Sequence, residues 1–353
     1  MNLFDIVTPQ NITAYWDARR ANQASYLGDM LFPSQQIMGL ELNKIGGHAG
    51  VPVELKASNF DAQATYRDRQ SIEVTKQKMP FFRERMRVDE ETRQQIMAIS
   101  RDDIVKQYIP RIFDDTNNLL RGARVVRERM AMELISTGTV TINGNGIKMK
   151  YNYGLDKKKQ FVKPTIKWSD SATATPLQDM VDWVDQFRTD FGVQLGYIVM
   201  TTKTFNMIKA TKEVHMALYP AATDPSNLFV TSPQVKELIQ NAVGVSVLLN
   251  DNVYATQVGG VGKKFFPDDV VTFLPIGYVL GNMVFGTTPE QIDLMTNPKF
   301  ASDVSIVDTG VAVYTRTLDH PVNVETIVSQ ICLPSFGADV EGGAGSILIA
   351  NVG

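Results

Sequence analysis

The stretch "GVPVELKASNFDAQATYRDRQSIEVTKQKMPFFRERMRV", residues 50–88, decides how the rest of the chain is interpreted. Apolar residues alternate with polar ones at 51–55 and again at 72–74, which predicts two extended arms. The segment between the arms, residues 56–70, is nearly all polar or charged. A lone two-stranded ribbon is marginally stable in water. We therefore expect this ribbon to be ordered by contacts outside itself.

The composition excludes several classes of protein. The 353 residues are 44% hydrophobic and 21% charged, as in ordinary soluble folded proteins, and the net charge of -3 provides no global basic field for nucleic acid. The single cysteine, Cys332, rules out an internal disulfide framework and fits a reducing compartment. The sequence contains no apolar run of about eighteen residues, so it predicts no membrane span. The start of the chain does not have the pattern of a secretory signal.

The segment before the ribbon, residues 1–49, carries scattered apolar anchors but no evident core. We expect such an arm to dock either on the body of this chain or on a neighbouring copy. A glycine-rich stretch joins the arm to the ribbon, and its glycines are the candidate hinge: Gly46, Gly47 and Gly50.

The segment after the ribbon has the strongest helical pattern in the chain. Apolar residues recur every three or four positions from Pro110 to Thr137, which predicts a long amphipathic helix. Pro110 is expected either to kink this helix or to start a fresh one, and Gly138 is a C-terminal stop signal. Alternation around an Asn-Gly turn then predicts a β-hairpin over residues 140–151. Residues 176–285 alternate helical and strand patterns, and the chain then returns to strands.

Residue types that carry chemistry are present but not arranged for it. His48, His215 and His320 lack the spacing of metal ligands. Cys332 lies in an apolar strand pattern, as a buried and inert thiol does. Residues 259–266, "GGVGKKFF", lack both the first glycine and the Ser/Thr of a phosphate-binding loop. The sequence therefore predicts no catalytic, cofactor-binding or metal residue and a protein that is not an enzyme.

Arginines recur every three residues along one flank of the long helix, at Arg121, Arg124 and Arg127. A solvated or salt-bridged helix face is the favoured interpretation. The alternative is an inner surface that contacts a neighbouring subunit or enclosed nucleic acid. Because the chain is not basic overall, base-specific recognition is not expected.

A docking arm and a coreless charged ribbon are best explained by self-association. The entropy lost on ordering such a ribbon, roughly 1–2 kcal/mol per residue, must be offset by contacts, and other copies of the chain offer them. The ribbon carries charges of both signs, which suits self-complementary pairing. We therefore predict a homo-oligomer, with these candidate inter-subunit contacts: Lys56, Phe60, Arg67, Asp68, Arg69, Glu73 and Lys76.

Four stretches together resemble the lambda-type (E-type) family of tailed-bacteriophage major capsid proteins. They are "LFPSQQIMGLELNKIGGHAGVPVELKASNFDAQATYRDR" (31–69), "KMPFFRERMRVDEETRQQI" (78–96), "ELISTGTVTINGNGIKMKYNYG" (133–154) and "DHPVNVETIVSQICLPSF" (319–336). The resemblance implies an α+β, HK97-like capsid fold. Its expected parts are an N-terminal arm (1–49), an extended β-hairpin loop (50–85), a peripheral domain with spine helix and hairpin (86–175), an axial domain (176–285), and a return to the peripheral domain with C-terminal strands (286–353).

The resemblance also implies a function. A major capsid protein of this kind self-assembles, as hexamers and pentamers, into the icosahedral shell that encloses phage double-stranded DNA. The implied partners are further copies of the chain, a separate scaffolding protein, a portal and non-specifically contacted DNA, with a decoration protein left open and no membrane or cofactor. The implied location is the virion, and the host cytoplasm during assembly. Two alternatives stay open: an encapsulin-like nanocompartment, and an α/β enzyme whose domain is residues 176–285.

Overall fold

The structure is a computed structural model and describes residues 7–20, 25–46, 73–88, 94, 102–144, 146–221, 228–277, 279–320, 322–336 and 347–353. The helices are α1 (Pro9–Arg20), α2 (Leu27–Leu31), α3 (Asp102–Thr137), α4 (Pro176–Phe191), α5 (Thr202–Ala210), α6 (Lys212–Leu218) and α7 (Ser232–Val243), followed by a π-helical turn (Glu290–Leu294) and a 3-10 turn (Ala301–Asp303). The strands are β1 (Ser34–Gln36), β2 (Glu41–Gly46), β3 (Glu73–Lys78), β4 (Phe81–Val88), β5 (Thr139–Gly144), β6 (Ile147–Asn152), β7 (Phe161–Val162), β8 (Leu195–Met200), β9 (Ser246–Leu249), β10 (Val253–Tyr254), β11 (Lys263–Lys264), β12 (Val270–Pro275), β13 (Gly281–Phe285), β14 (Val304–Val307), β15 (Val311–Asp319), β16 (Val322–Phe336) and β17 (Leu348–Asn351).

One compact unit is built around a mixed sheet. It comprises the described residues of Met1–Asn43, Lys76–Arg129 and Asn282–Ser335. The strand order is β1-β13-β16-β15-β14, and β4 also pairs with β16. The long strand β16 runs antiparallel to both β15 and β4. Helix α3 lies against this strand. The Gln330 side chain of β16 donates a 3.0 Å hydrogen bond to the Ala123 carbonyl of α3.

The N-terminal arm docks on this unit. Ile12 and Trp16 of α1 are fully buried. The hydroxyls of Thr13 and Ser305 lie 3.0 Å apart, which joins α1 to β14. Burying two large apolar side chains contributes about 1.5–3 kcal/mol each. The sequence left open whether the arm docks on the body of this chain or on a neighbouring copy. Helix α1 packs on the body of this chain.

The second unit is an α/β layer structure. It comprises the described residues of Lys44–Thr75, Met130–Gly281 and Phe336–Gly353. Its sheet has the order β7-β17-β12-β8-β9, and β12 runs antiparallel to both β8 and β17. Helices α4 to α7 supply apolar side chains to one core with this sheet, including Met180, Phe187 and Val235. Trp168 is fully buried in that core and stacks on Trp183 with ring centroids 5.8 Å apart.

Helix α3 is one continuous helix of 36 residues, about 54 Å long at 1.5 Å per residue. It begins upstream of Pro110 and continues across it, so the expectation of a fresh helix at that proline is wrong. The helix ends where the sequence predicts, because Gly138 takes φ +70° and its amide donates a 2.8 Å hydrogen bond to the Leu134 carbonyl.

Replacing Gly138 by alanine is expected to lower the free energy of unfolding by about 1 to 2 kcal/mol. Alanine is strained at φ +70°, and a Cβ atom there lies 2.7 Å from Leu155 Cδ1. Urea unfolding followed by circular dichroism measures the change. Gly122→Ala in the same helix is the control: a Cβ there meets nothing within 4 Å, so that variant should gain about 0.5 to 1 kcal/mol. If Gly138→Ala raises the free energy of unfolding and Gly122→Ala lowers it, the assigned helix end is contradicted.

The boundaries of the two units differ from those of the predicted domains. The hairpin β5–β6 and the last strand β17 belong to the second unit, while β13 pairs in the sheet of the first unit. Local patterns identify strands but not their partners, and the partners decide the unit. The names peripheral and axial domain stay predictions.

Candidate functional site

The predicted extended loop is bracketed by two described strands. Strand β2 ends at Gly46 and strand β3 begins at Glu73, and the two strands form a two-stranded sheet. Lys76 lies in β3 with an exposed side chain. The other predicted contact and hinge residues lie outside the described residues: Gly47, Gly50, Lys56, Phe60, Arg67, Asp68 and Arg69. Their roles stay predictions.

Strand β4 follows β3 and begins near the C-terminal end of the predicted loop. It pairs antiparallel with β16, from Val88 opposite Val324 to Phe81 opposite Ile331. In the part of the chain that the structure describes, β4 has no other strand partner. Phe81 and Met86 are 39% and 38% exposed. An exposed edge strand with uncovered apolar side chains is a place where another chain can pair.

A buried carboxylate fixes β4 to the rest of its unit. Glu290, in the π-helical turn, is 5% exposed and accepts hydrogen bonds from Arg83 Nη2 at 2.6 Å and Ser329 Oγ at 2.8 Å. Arg83 also lies over the Phe81 ring, 4.6 Å from its centroid. Charge-assisted hydrogen bonds of this kind are the strong ones. One carboxylate therefore ties together β4, β16 and the π-helical turn.

A second buried carboxylate lies next along the same strands. Glu325 Oε2 accepts from two nitrogens of Arg316, at 3.0 Å and 2.7 Å, and Arg85 Nη1 lies 3.5 Å from its other oxygen. The arginines of β4 were not singled out from the sequence. Their alternation in "FFRERMRV" indicates that they share one face of the strand, since alternate residues of a strand do so. Their glutamate partners lie too far along the chain to be recognised from the sequence.

The three arginines of α3 have different surroundings. Arg121 is exposed, whereas Arg124 and Arg127 are 8% and 6% exposed. Arg124 pairs with Asp29 and Arg127 with Asp308, each at 3.0 Å. For these two, the helix face is salt-bridged within the subunit. The predicted contact of the set with a neighbour or with DNA stays a prediction, with Arg121 as its exposed member.

A pocket of about 790 Å³ lies beside these pairs. Helices α1, α2 and α3 and the turn between β14 and β15 form its walls. We call it the charged pocket, after five of the residues that line it: Asp17, Asp29, Arg124, Arg127 and Asp308. Arg127 Nη2 is bonded to Asp308, but Arg127 Nη1 is buried without a hydrogen-bond partner in the described part of the chain. The pocket therefore holds a buried donor that no described residue satisfies.

The described residues contain no group of three His, Cys, Asp or Glu side chains that could hold a metal ion. His215 lies in α6 and His320 is exposed, while His48 lies outside the described residues. None of the described helices is long and apolar enough to cross a membrane.

The thiol of Cys332 is expected to be unreactive in the folded protein. Cys332 is fully buried in β16, and burial raises the pKa of its thiol to about 12 against the opposing charge of Arg127. Because the thiolate is the reactive form, Ellman's reagent at about pH 8 should label no thiol in native protein and one per chain after denaturation. Labelling of native protein at the denatured rate would contradict the buried position.

A family model described as phage major capsid protein E matches residues 8–319.

The chain belongs to the phage major capsid protein E family.

Solved structures share the fold of this capsid protein. A proposed prophage capsid protein of Escherichia coli CFT073 is 14% identical with a TM-score of 0.55, over 98% of this chain and 99% of that one. A phage-related protein of Bordetella bronchiseptica RB50 is 13% identical with a TM-score of 0.52, over 98% and 97%. The cyanophage A-1(L) capsid protein is 13% identical with a TM-score of 0.52, over 92% and 91%. A comparison with curated proteins finds no match.

These findings confirm the resemblance seen in the sequence and the HK97-like, mixed helix and strand fold. The protein is a phage major capsid protein, which associates with copies of itself and is part of the virion. The family favours this function over the encapsulin-like compartment. It is a family of structural capsid proteins.

Proposed function

We propose that this capsid protein builds an icosahedral head from hexamers and pentamers, in which the segment between β2 and β3 reaches over an adjacent subunit. The observation that supports this most is the attachment of β4. Its arginines bind the buried carboxylates Glu290 and Glu325, so the base of the loop is fixed to the sheet. A fixed base lets a long segment hold a neighbour at a defined place instead of moving freely.

The free energies of many identical contacts between subunits then add up. A subunit that contacts several neighbours gains from multivalency once the shell closes, even when each contact is modest. Obligate interfaces of this kind often exceed about 2,000 Å². The exposed edge and apolar side chains of β4 suit the same role, because they remain available beside the loop base.

Further partners complete the proposal. A separate scaffolding protein would guide curvature, a portal would occupy one vertex, and a decoration protein could bind outside. DNA would be contacted without sequence preference, with Arg121 as an exposed cation on α3. Assembly would take place in the host cytoplasm.

Deleting residues 58–69 tests the proposal. We expect the wild-type chain, overproduced with its scaffold if one is needed, to give shells by electron microscopy, and the deletion variant to stay as soluble subunits or small oligomers. The double variant Lys157→Ser/Lys158→Ser, which removes two exposed charges elsewhere, is the control and should assemble normally. Normal shells from the deletion variant would contradict the role of the loop.

A further inference from the structure

We propose that a lysine-rich surface of the second unit faces the inside of the head and binds the phosphate backbone of the enclosed duplex DNA. This inference rests on the proposed function, in which DNA is contacted without sequence preference. It names the surface that contacts the DNA and the side of the subunit that faces inward.

The positive charge of the chain is concentrated in one short segment. Residues 148–167 contain seven lysines, no arginine and one acidic residue, Asp156, which is a formal charge of +6 in a chain of net charge -3. The rest of the chain therefore carries -9. Lys159 pairs with Asp190 at 3.3 Å. The other six lysines are exposed, form no ion pair with another described residue and define the lysine surface: Lys148, Lys150, Lys157, Lys158, Lys163 and Lys167.

The β5–β6 hairpin separates its lysines from its apolar side chains. Lys148 lies opposite Asn143 and Lys150 lies opposite Thr141. Because alternate residues of a strand share one face, these four side chains lie on one side of the hairpin. Tyr151 lies on the other side and is buried. The hairpin itself therefore places only positive charge on its polar face.

A tight turn presents two further lysines. The Gln160 amide donates a 2.8 Å hydrogen bond to the Asp156 carbonyl, and the Asp156 amide donates one of 2.8 Å to Gln160 Oε1. The carboxylate of Asp156 accepts a 2.8 Å hydrogen bond from the Lys158 amide. The one acidic residue of the segment thus holds the turn in shape, and the side chains of Lys157 and Lys158 stay exposed.

The hairpin and the turn meet at Gly138, directly before β5. Side-chain carbon atoms of Leu155 and Phe161, on either side of the turn, lie 2.7 Å and 3.3 Å from the position of a Cβ atom built on Gly138. Phe161 begins β7, which pairs with β17 at the edge of the sheet. Lys163 and Lys167 follow β7 along the chain. The lysines therefore belong to one region of the second unit.

The composition of this region selects a phosphate backbone as its partner. Protein interfaces are depleted in lysine and have an apolar core, whereas Ile166 is the one exposed large apolar residue of segment 148–167. Tyr151 and Tyr153 are buried and Phe161 is half-buried, so they offer no platform on which the bases of a single strand can stack. Lysines without arginines supply charge but not the bidentate geometry that reads guanine. These features together fit duplex DNA bound without sequence preference.

The salt dependence of DNA binding tests the partner. The fluorescence anisotropy of a labelled duplex is measured with unassembled full-length subunits between about 50 and 200 mM salt. Each lost phosphate contact lowers the log–log slope by about 0.9, so the lysine-surface variant should lower it by about 3 to 4. That variant is Lys148→Ser/Lys150→Ser/Lys157→Ser/Lys158→Ser.

The control removes the same charge from four other described lysines: Lys212→Ser/Lys236→Ser/Lys263→Ser/Lys299→Ser. Its slope should stay within about 1 of the wild-type slope. Equal slopes for the two fourfold variants would overturn the proposal, because net charge alone would then set the binding.

Labelling of DNA-filled heads tests the direction of the surface. Heads of a Lys158→Cys variant are treated with a maleimide that carries a polyethylene glycol chain too bulky to enter the head. We expect almost no label on intact heads, where Cys332 is also buried, and complete labelling after denaturation. Labelling of intact heads as fast as that of denatured protein would overturn the proposal.

Assembly separates DNA from a protein partner. We expect the lysine-surface variant to form shells, because the contact with DNA is not needed to build them. If this variant binds DNA as the wild type does but gives few shells, the surface binds a protein and the proposal is wrong. If deletion of 58–69 abolishes shells while the lysine-surface variant keeps wild-type DNA binding, the proposed function stands and only this inference fails.

Discussion

Replacing Asp308 by asparagine is expected to lower the free energy of unfolding by about 3 kcal/mol. Asp308 and Arg127 are 8% and 7% exposed at their side chains and lie 3.0 Å apart. Removing the carboxylate charge leaves the guanidinium buried without a counter-charge, which is the costly way to break such a pair. Asparagine keeps the shape and tolerates the φ of +52° at this position, so the change isolates the charge. Urea unfolding followed by tryptophan fluorescence measures it.

Asp29→Asn is the matched control for this prediction. Asp29 pairs with Arg124 on the same helix at the same 3.0 Å distance, but its side chain is 42% exposed. Water screens that pair, so the loss should stay below about 1 kcal/mol. Equal losses from the two variants would mean that burial does not set the strength of these pairs.

Replacing Glu290 by alanine is expected to cost about 2 to 3 kcal/mol and to impair assembly. The variant removes the acceptor of both Arg83 and the buried Ser329. Arg83 is 46% exposed and can turn to water, which keeps the cost below that of a fully buried pair. The base of the loop then loses its main attachment, so fewer particles should form even where the subunit stays folded. Thermal unfolding and the sedimenting fraction of the protein report the two effects.

Glu84→Ala is the control for Glu290. Glu84 lies on β4 directly beside Arg83 but is exposed and pairs with no described residue. Its removal should change stability by less than about 0.5 kcal/mol and leave assembly intact. If Glu84→Ala impairs assembly as much as Glu290→Ala does, surface charge on β4 matters and the buried attachment does not.

Local patterns in the sequence predicted the elements well. The long helix, its end at Gly138, the β5–β6 hairpin and the alternation of helices and strands over residues 176–285 all follow from spacing, caps and turns over short distances. The family could also be recognised, because four separated stretches agreed.

Long-range partners could not be predicted. Arg83 bonds Glu290 at a separation of 207 residues, and Arg127 bonds Asp308 at 181. Nothing in the local pattern of either partner marks the other. For the same reason the local patterns of the β5–β6 hairpin and of β17 do not show that both belong to the second unit. The predicted contact residues were chosen by charge within the loop, and most of them lie outside the described residues.

The place of β17 in its sheet has a consequence for synthesis on the ribosome. Strand β17 lies between β7 and β12, so β12 keeps an open edge until Leu348–Asn351 have emerged. At about 5–20 residues per second, the stretch from Pro275 to Leu348 takes roughly four to fifteen seconds to translate. A nascent chain is therefore exposed to edge-to-edge aggregation in that interval, and a product of premature termination before Leu348 stays exposed and is diverted from the head.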